Sequence, residues 1–328
     1  MADAQERLGP AEIREARARV ARIARITPLI PSEALATRLG HPVSFKCENL
    51  QIGGAFKIRG ASNFLAELDP AVAARGVITY SSGNHAIALS IAARSAGLPV
   101  VVVMPDDAPA VKVERARENG AEVHFRGTTS AERKTLAEEL QKKRGLTMVP
   151  PFDHPAIIAG QASCGVEILE QMPDVGVVLV PVGGGGLLSG IALACGYRRA
   201  AIRVIGVEPE GAACMTASLR AGAPVTLSSV GSVADGLLPV RPGDLNFDIV
   251  RRFVMDVITV PDEAIREAAG WLLRSEHLLA EWSGATALAA LRSGRVRTGG
   301  VPTAVVLSGG NIDPRALLET PPAEPPQD

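Results

Sequence analysis

The chain of 328 residues is long enough for two lobes, each with its own core. Its 34 basic and 35 acidic residues leave a net charge of -1, and aromatics make up 3%, so neither charge nor stacking surfaces favour nucleic acid. The polar start Met1-Ala2-Asp3-Ala4-Gln5-Glu6-Arg7 carries no secretory pattern, which makes the cytoplasm the expected location.

Residues 11–26 are rich in Ala, Arg and Glu with apolar residues at helical spacing, and Pro28 and Pro31 close the pattern, so an amphipathic helix is expected there. A strand-like run, Val43-Ser44-Phe45-Lys46-Cys47, precedes Gly53-Gly54-Ala55-Phe56-Lys57-Ile58-Arg59-Gly60-Ala61, a lysine set among small residues. From there short β-branched runs at 76–80, 100–104, 121–125, 177–182, 204–207 and 303–307 alternate with helical segments at 86–96, 111–119, 130–143 and 262–274. Strand then helix, repeated, predicts an α/β protein whose parallel sheets are covered on both faces. The uncharged run 175–197 exceeds membrane-span length, but Pro181 and four consecutive glycines divide it. It reads as a buried strand, a tight loop and a helix, and no membrane helix is expected. The tail 321–328 is Pro-rich and polar and is expected to be disordered. Cys47, Cys164, Cys195 and Cys214 form no C-x-x-C pair and read as reduced, structural thiols. His41, His85, His124, His154 and His277 show no i, i+4 spacing, so no metal site is expected.

Parallel sheets place ligands at the carboxyl ends of their strands, in the loops that start the next helix. Lys57 stands in such a loop. A lysine amine whose surroundings lower its pKa attacks carbonyl carbon and can hold an aldehyde cofactor as a Schiff base; the alternative is a paired surface lysine. Ser81-Ser82-Gly83-Asn84-His85 offers hydroxyls, an amide and backbone N–H groups, a pocket for a carboxylate or simply an N-cap. Gly183, Gly184, Gly185 and Gly186 let the backbone approach an anion at a helix start, a phosphate cradle, with a packing turn as the alternative. Neither G-x-G-x-x-G nor G-x-x-x-x-G-K-[ST] fits the loop. Ser308, in Ser308-Gly309-Gly310-Asn311, is either a cap or a partner for a heterocycle nitrogen.

A Schiff-base lysine, a phosphate cradle and a carboxylate loop in this order resemble the serine/threonine dehydratase family of fold type II pyridoxal-phosphate enzymes, which includes serine racemase and 3-hydroxyaspartate dehydratases. The resemblance runs from Thr27-Pro28-Leu29 through Ser308-Gly309-Gly310-Asn311, nearly the whole chain. It implies a two-domain, tryptophan synthase β-like fold. Residues 1–66 and 153–328 would form the large cofactor-binding domain, and 67–152 a small domain closing over the substrate. It also implies pyridoxal 5'-phosphate as cofactor, carried on Lys57 with Phe56 packed against its ring. Asn84 would meet the ring hydroxyl oxygen, Gly183 to Gly186 the phosphate and Ser308 the pyridine nitrogen, with Gly236 and Glu281 beside the ring. The substrate would be a small amino acid held by Ser81, Ser82, Asn84, His85 and Arg133. The family is commonly homodimeric. The implied activity is elimination of ammonia from a 3-hydroxy amino acid, L-threonine or L-serine first, with Lys57 as tether and then as general base.

Several positions depart from the family's pattern. Threonine dehydratases often carry alanine where this chain has Ser82. A hydroxyl there would protonate Cα from the face opposite Lys57, which makes Ser82 a second catalytic candidate and keeps racemisation open. Ile87 stands where glutamine is common and is expected to make the pocket wall less polar. Arg133 and Arg241 either select an acidic substrate such as 3-hydroxyaspartate or are solvated. Glu208 matches a metal ligand of some members, but Cys214 replaces the second carboxylate, which argues against a magnesium site. Trp282 follows Glu281 where proline is usual. A β-replacement enzyme of the same fold and a catalytically silent amino-acid-binding protein are the rival readings.

Overall fold

The computed structural model describes residues 8–81, 83–198 and 201–318. Ser82 and the tail 321–328, each the subject of an expectation above, lie outside the described residues. The chain begins with α1 (Pro10–Val20), β1 (Leu29–Pro31), α2 (Glu33–Leu39) and β2 (Val43–Cys47). Two 3-10 turns, Glu48–Leu50 and Ile52–Gly54, lead into α3 (Lys57–Glu67) and the one-turn α4 (Pro70–Ala73). Next come β3 (Val77–Tyr80), α5 (Asn84–Ala96), β4 (Val100–Met104), α6 (Ala110–Glu118), β5 (Glu122–Phe125), α7 (Ser130–Arg144) and β6 (Thr147–Met148). The second half holds α8 (Pro155–Gln171), β7 (Val177–Pro181), α9 (Gly186–Arg198), β8 (Arg203–Pro209), α10 (Cys214–Ala221) and α11 (Asp244–Phe253). It closes with β9 (Asp256–Val260), α12 (Asp262–Ser275), α13 (Trp282–Arg292), β10 (Thr303–Leu307) and α14 (Pro314–Leu318).

The strands form a six-stranded sheet, ordered β1-β2-β10-β7-β8-β9, and a four-stranded sheet, ordered β5-β4-β3-β6. All pairs are parallel except β1 with β2. Every residue of β2, β7 and β10 is buried; β7 and β10 read as nearly unbroken apolar runs, whereas β2 also buries Ser44 and the ion-paired Lys46. Phe45, Leu179 and Val305 pack with Leu272 of α12 and Leu288 of α13 in one core. Val102 of the smaller sheet shares a core with Ile58 of α3, Leu89 of α5 and Ile157 of α8. The register pairs Leu307 with Cys47 and Val305 with Leu179, so β2, β10 and β7 end at one edge of the large sheet. The loops after them therefore converge. That is where the Lys57, Ser308 and glycine loops stand.

The α/β class and the division of the run 175–197 into strand, loop and helix are as expected. Among the described residues no helix is long and apolar enough to cross a membrane. The first helix is shorter than expected. It stops at Val20 because Arg22 and Ile23 donate to Arg19 and Val20 in a tightened turn, and Gln51 then takes the N–H of Arg25 at 3.0 Å and its carbonyl at 2.8 Å. The edge strand β9 was not among the expected runs, and its half-exposed pattern explains why. All four cysteines are free and buried, and burial pushes the thiols of Cys47, Cys195 and Cys214 up to about 12.

Candidate active site

Lys57 is the first residue of α3. The loop that delivers it turns through Gly53 and Gly54, at φ 75 and 74, a region that residues with a Cβ rarely adopt. It is stitched to the loop after β10: Phe56 N–H donates to Ser308 carbonyl at 3.1 Å, Gly310 N–H to Gly54 carbonyl at 2.8 Å, and Asn311 Nδ2 to Gly53 carbonyl at 2.8 Å. Lys57 Nζ donates to the Pro151 carbonyl at 2.8 Å and lies 5.1 Å from the centroid of the Phe56 ring. Its recorded polar partner is thus a neutral carbonyl. Burial lowers the ammonium to about 8, so the amine is reachable as a base near neutrality.

The glycine loop lies between β7 and α9. Gly185 has φ 100, and a Cβ on Gly184 would come within 2.5 Å of the Phe152 ring, so side chains are excluded and the backbone is left to face a ligand at a helix start. Phe152, which sequence reasoning did not single out, thus backs the cradle. On the other side, Ser308 is buried, and no helix begins at residues 308–313, which removes the reading of Ser308 as a cap.

Asn84 opens α5. Its Oδ1 accepts from Asn311 Nδ2 at 2.9 Å, and its Nδ2 donates to Glu281 Oε1. Glu281 is buried at the start of α13, where its N–H donates to Gly309 carbonyl at 3.0 Å. Among the described residues its second oxygen, Oε2, has no hydrogen-bond partner, and it faces Lys112 Nζ at 3.4 Å. Burial raises the Glu281 carboxyl, and Lys112 opposes the rise. Gly236 N–H donates to Ser283 Oγ at 2.9 Å, which holds the Asp235–Leu237 turn beside Glu281. His85 is buried with Nε2 3.3 Å from Val149 carbonyl; burial, and then the charge of Lys57, lower it to about 3, so it is neutral. A carbonyl only accepts, which puts the proton on Nε2 and leaves Nδ1 as an acceptor. Ser81 Oγ accepts from Gly83 N–H at 3.3 Å.

Contacts thus link Phe56, Lys57, Asn84, His85, the glycine loop, Gly236, Glu281 and Ser308 into one region at the ends of the strands. Arg133 differs. It is buried rather than solvated, and its guanidinium bonds Thr128 carbonyl at 3.1 Å, just before its own helix, and Ser130 Oγ at 3.0 Å in the first turn, with Nε unpartnered among the described residues. Arg241 pairs with the exposed Asp244 at 2.6 Å. Ile87 is buried, with Cγ2 3.6 Å from where a Cβ on Gly53 would stand, against the loop that delivers Lys57. Both oxygens of Glu208 serve the start of α10, accepting from Met215 N–H at 2.8 Å and Thr216 N–H at 2.8 Å, and burial pushes this carboxyl up to about 7. Trp282 lies with Arg266 5.4 Å from its ring centre and its buried Nε1 unpartnered.

A loop that excludes side chains at a helix start, a buried carboxylate oxygen without a hydrogen bond and a neutralisable lysine fit a phosphorylated aldehyde with a heterocyclic ring. Residues 20–309 match the family described as pyridoxal-phosphate dependent enzyme. The chain is 43% identical over 305 residues to an L-threonine ammonia-lyase of Geobacter sulfurreducens, covering 93% of this chain and 76% of that one. It is 38% identical over 313 residues to a serine racemase of Oryza sativa subsp. indica, covering 94% and 92%. The solved structure of maize serine racemase superposes with a TM-score of 0.91 at 37% identity, covering 95% of this chain and 96% of that one. The chain therefore belongs to the pyridoxal-phosphate-dependent enzymes of fold type II, within the group that holds the serine/threonine dehydratases, and pyridoxal phosphate is its cofactor.

Proposed function

We propose that this chain is an ammonia-lyase that converts a small 3-hydroxy amino acid, L-threonine or L-serine, to a 2-oxo acid and ammonia. The observation that carries the reading is Lys57: an amine lowered to about 8, bonded to a carbonyl and held beside Asn84, the glycine loop and Ser308. The likeness to threonine ammonia-lyases supports it.

Pyridoxal phosphate supplies, when bound, an aldehyde for the substrate amine and a ring that withdraws electrons from Cα. Gly183 to Gly186 would hold its phosphate, Asn84 its ring oxygen and Ser308 its pyridine nitrogen, with Phe56, Gly236 and Glu281 beside the ring. Ser308 is a neutral hydroxyl and imposes no proton on that nitrogen, which favours elimination over transamination. The turn that opens α5, with Ser81, Asn84 and His85, orients the substrate carboxylate. Lys57 removes the Cα proton; with a pKa of about 8, about one amine in ten is neutral at pH 7. Loss of that proton and of the β-hydroxyl amounts to loss of one water. The released enamine hydrolyses to the 2-oxo acid and ammonia. Residues 67–152, which contain the smaller sheet, act as the part that closes over the substrate.

The serine racemase likeness favours a second reading, in which Ser82 returns a proton to the opposite face of Cα. A panel of L-serine, L-threonine, both 3-hydroxyaspartate diastereomers and phenylserine, read for 2-oxo acid and for D-enantiomer, separates the two. Oxo acid from L-threonine or L-serine is expected. Enantiomer without oxo acid overturns the lyase assignment.

A further inference from the structure

Helix α6 carries no recognisable motif, yet it reaches the Lys57 loop, the loop that opens α5 and the Glu281 region. Lys112 is buried, and its stem lies across Gly83, where a Cβ would collide with Lys112 Cδ. Its Nζ stands 2.5 Å from Asp235 Oδ2 and 3.4 Å from Glu281 Oε2. Three residues on, on the same helix face, Arg115 Nη1 donates to Asn311 Oδ1 and would lie 3.2 Å from a Cβ on Gly54.

These contacts join into a chain with one direction. Arginine has only donors, so Asn311 must turn its Oδ1 toward Arg115. Both amide hydrogens of Asn311 are then committed, to Gly53 carbonyl at 2.8 Å and to Asn84 Oδ1 at 2.9 Å. Asn84 must therefore offer its Nδ2, and it donates to Glu281 Oε1. At the far end, among the described residues Glu281 Oε2 has the Lys112 cation alone to offset its burial. The chain starts on α6 at Arg115 and returns to α6 at Lys112.

We propose that Lys112 and Arg115 are positioning residues that fix this chain from both ends, so that Asn84 presents its NH2 group toward the cofactor ring and Glu281 stays a carboxylate beside it. The inference rests on the cofactor site of the proposed lyase and not on which amino acid it consumes. Glu281 is faced by Lys112 from α6 and by Asp235 from the turn before Gly236; Lys112 attracts its charge and Asp235 repels it. Burial alone would pull the Lys112 ammonium down, and Glu281 with Asp235 lifts it, so the cation persists. Without it, Glu281 takes up a proton and offers Asn84 a neutral, weaker acceptor in place of a carboxylate.

The test uses the full chain loaded with pyridoxal phosphate. Lys112→Met keeps the stem over Gly83 and removes the charge. It is expected to weaken cofactor binding about tenfold or more, the loss of one hydrogen-bonded charge, and to add a pH-dependent step, above the ordinary carboxylate range, to the absorbance of the bound cofactor. Lys112→Arg should restore both. In the double variant Lys112→Met with Glu281→Gln, the amide needs no cation, so the pH step should vanish and the loss should fall short of the sum of the single variants. Arg115→Met, which leaves the Glu281 pair intact, should weaken cofactor binding without the pH step, and it tests the chain even if Lys112→Met does not fold. Wild-type cofactor affinity and an unshifted absorbance titration in Lys112→Met, or strict additivity with Glu281→Gln, would overturn the proposal. Absence of a Schiff-base band in the wild type would sink the lyase reading instead, so the two failures are distinguishable.

Discussion

Two charge clusters stand close to Lys57 in sequence or in space, one fully buried and one part-exposed at Asp235, and they are built differently. Behind α3, two residues after Lys57, Arg59 donates to Glu48 Oε1 and Oε2 at 2.8 Å each and to Glu167 at 2.6 and 2.8 Å. Lys46 Nζ reaches the same Glu167 at 2.6 Å, and Thr27 carbonyl and Gln171 Oε1 take its other hydrogens at 2.7 and 2.8 Å. Two cations meet two carboxylates, and none of their polar side-chain atoms is left unpartnered. Burial would raise the Glu48 carboxyl, but Arg59, Thr27 and Lys46 together hold it below the ordinary range. At the strand ends, one cation, Lys112, faces two carboxylates, Asp235 and Glu281. The closed cluster ties β2, α3 and α8 together. The open one leaves a carboxylate oxygen facing a cation without a hydrogen bond among the described residues.

Five experiments press on this contrast. Lys57→Ala should remove the visible Schiff-base band and cut turnover by about 10³–10⁴-fold while changing unfolding in urea little, because among the described residues the Lys57 amine bonds a neutral carbonyl and no charged group. Retained turnover would place the base elsewhere. Arg59→Met leaves Glu48 and Glu167 buried without their shared cation and should cost about 3–5 kcal/mol in denaturant unfolding. An Arg59→Met protein of near-wild-type stability but altered cofactor absorbance would mean that the closed cluster also serves the site.

Gly184→Val puts a side chain into the Phe152 ring and should cost about 1–3 kcal/mol of cofactor affinity, read by titration of the cofactor into apo-protein. Capture of the cofactor should itself depend on pH. Because the folded lysine sits at about 8, below its ordinary value, the neutral amine grows about tenfold per pH unit up to about 8 and then levels, and stopped-flow capture rates should follow. A rate still climbing steeply above pH 9 would place the amine in a more solvated setting. The smallest effect belongs to the surface. Arg17 and Glu170 pair at 2.5 Å, but both are partly exposed, so Arg17→Ala should change the unfolding free energy by no more than about 1 kcal/mol.

Much of the site was legible because it is written locally. A lysine after Gly53 and Gly54, four glycines after an apolar strand and a Ser-Gly pair after another are contiguous features, and backbone sterics tie each to a turn at a strand end. Ile87 and Arg133 were less legible. Both sit on helices whose faces are assigned only by what packs on them: Ile87 turned toward Gly53, and Arg133 folded back on Thr128 and Ser130. Lys112, between Val111 and Val113, offered only a weak cue, a charge in an apolar stretch next to the buried Val113.

By itself the sequence determined the alternation of strands and helices, the three glycine-marked loops and the lysine that serves them, because each depends on neighbours along the chain. Tertiary structure alone decided which charges meet. Asn84 and Glu281 are 197 residues apart, Arg115 and Asn311 are 196 apart, and Lys112 and Asp235 are 123 apart. No periodicity links such pairs. Their partners are chosen when the two sheets pack, and burial then makes each choice costly to leave unmade.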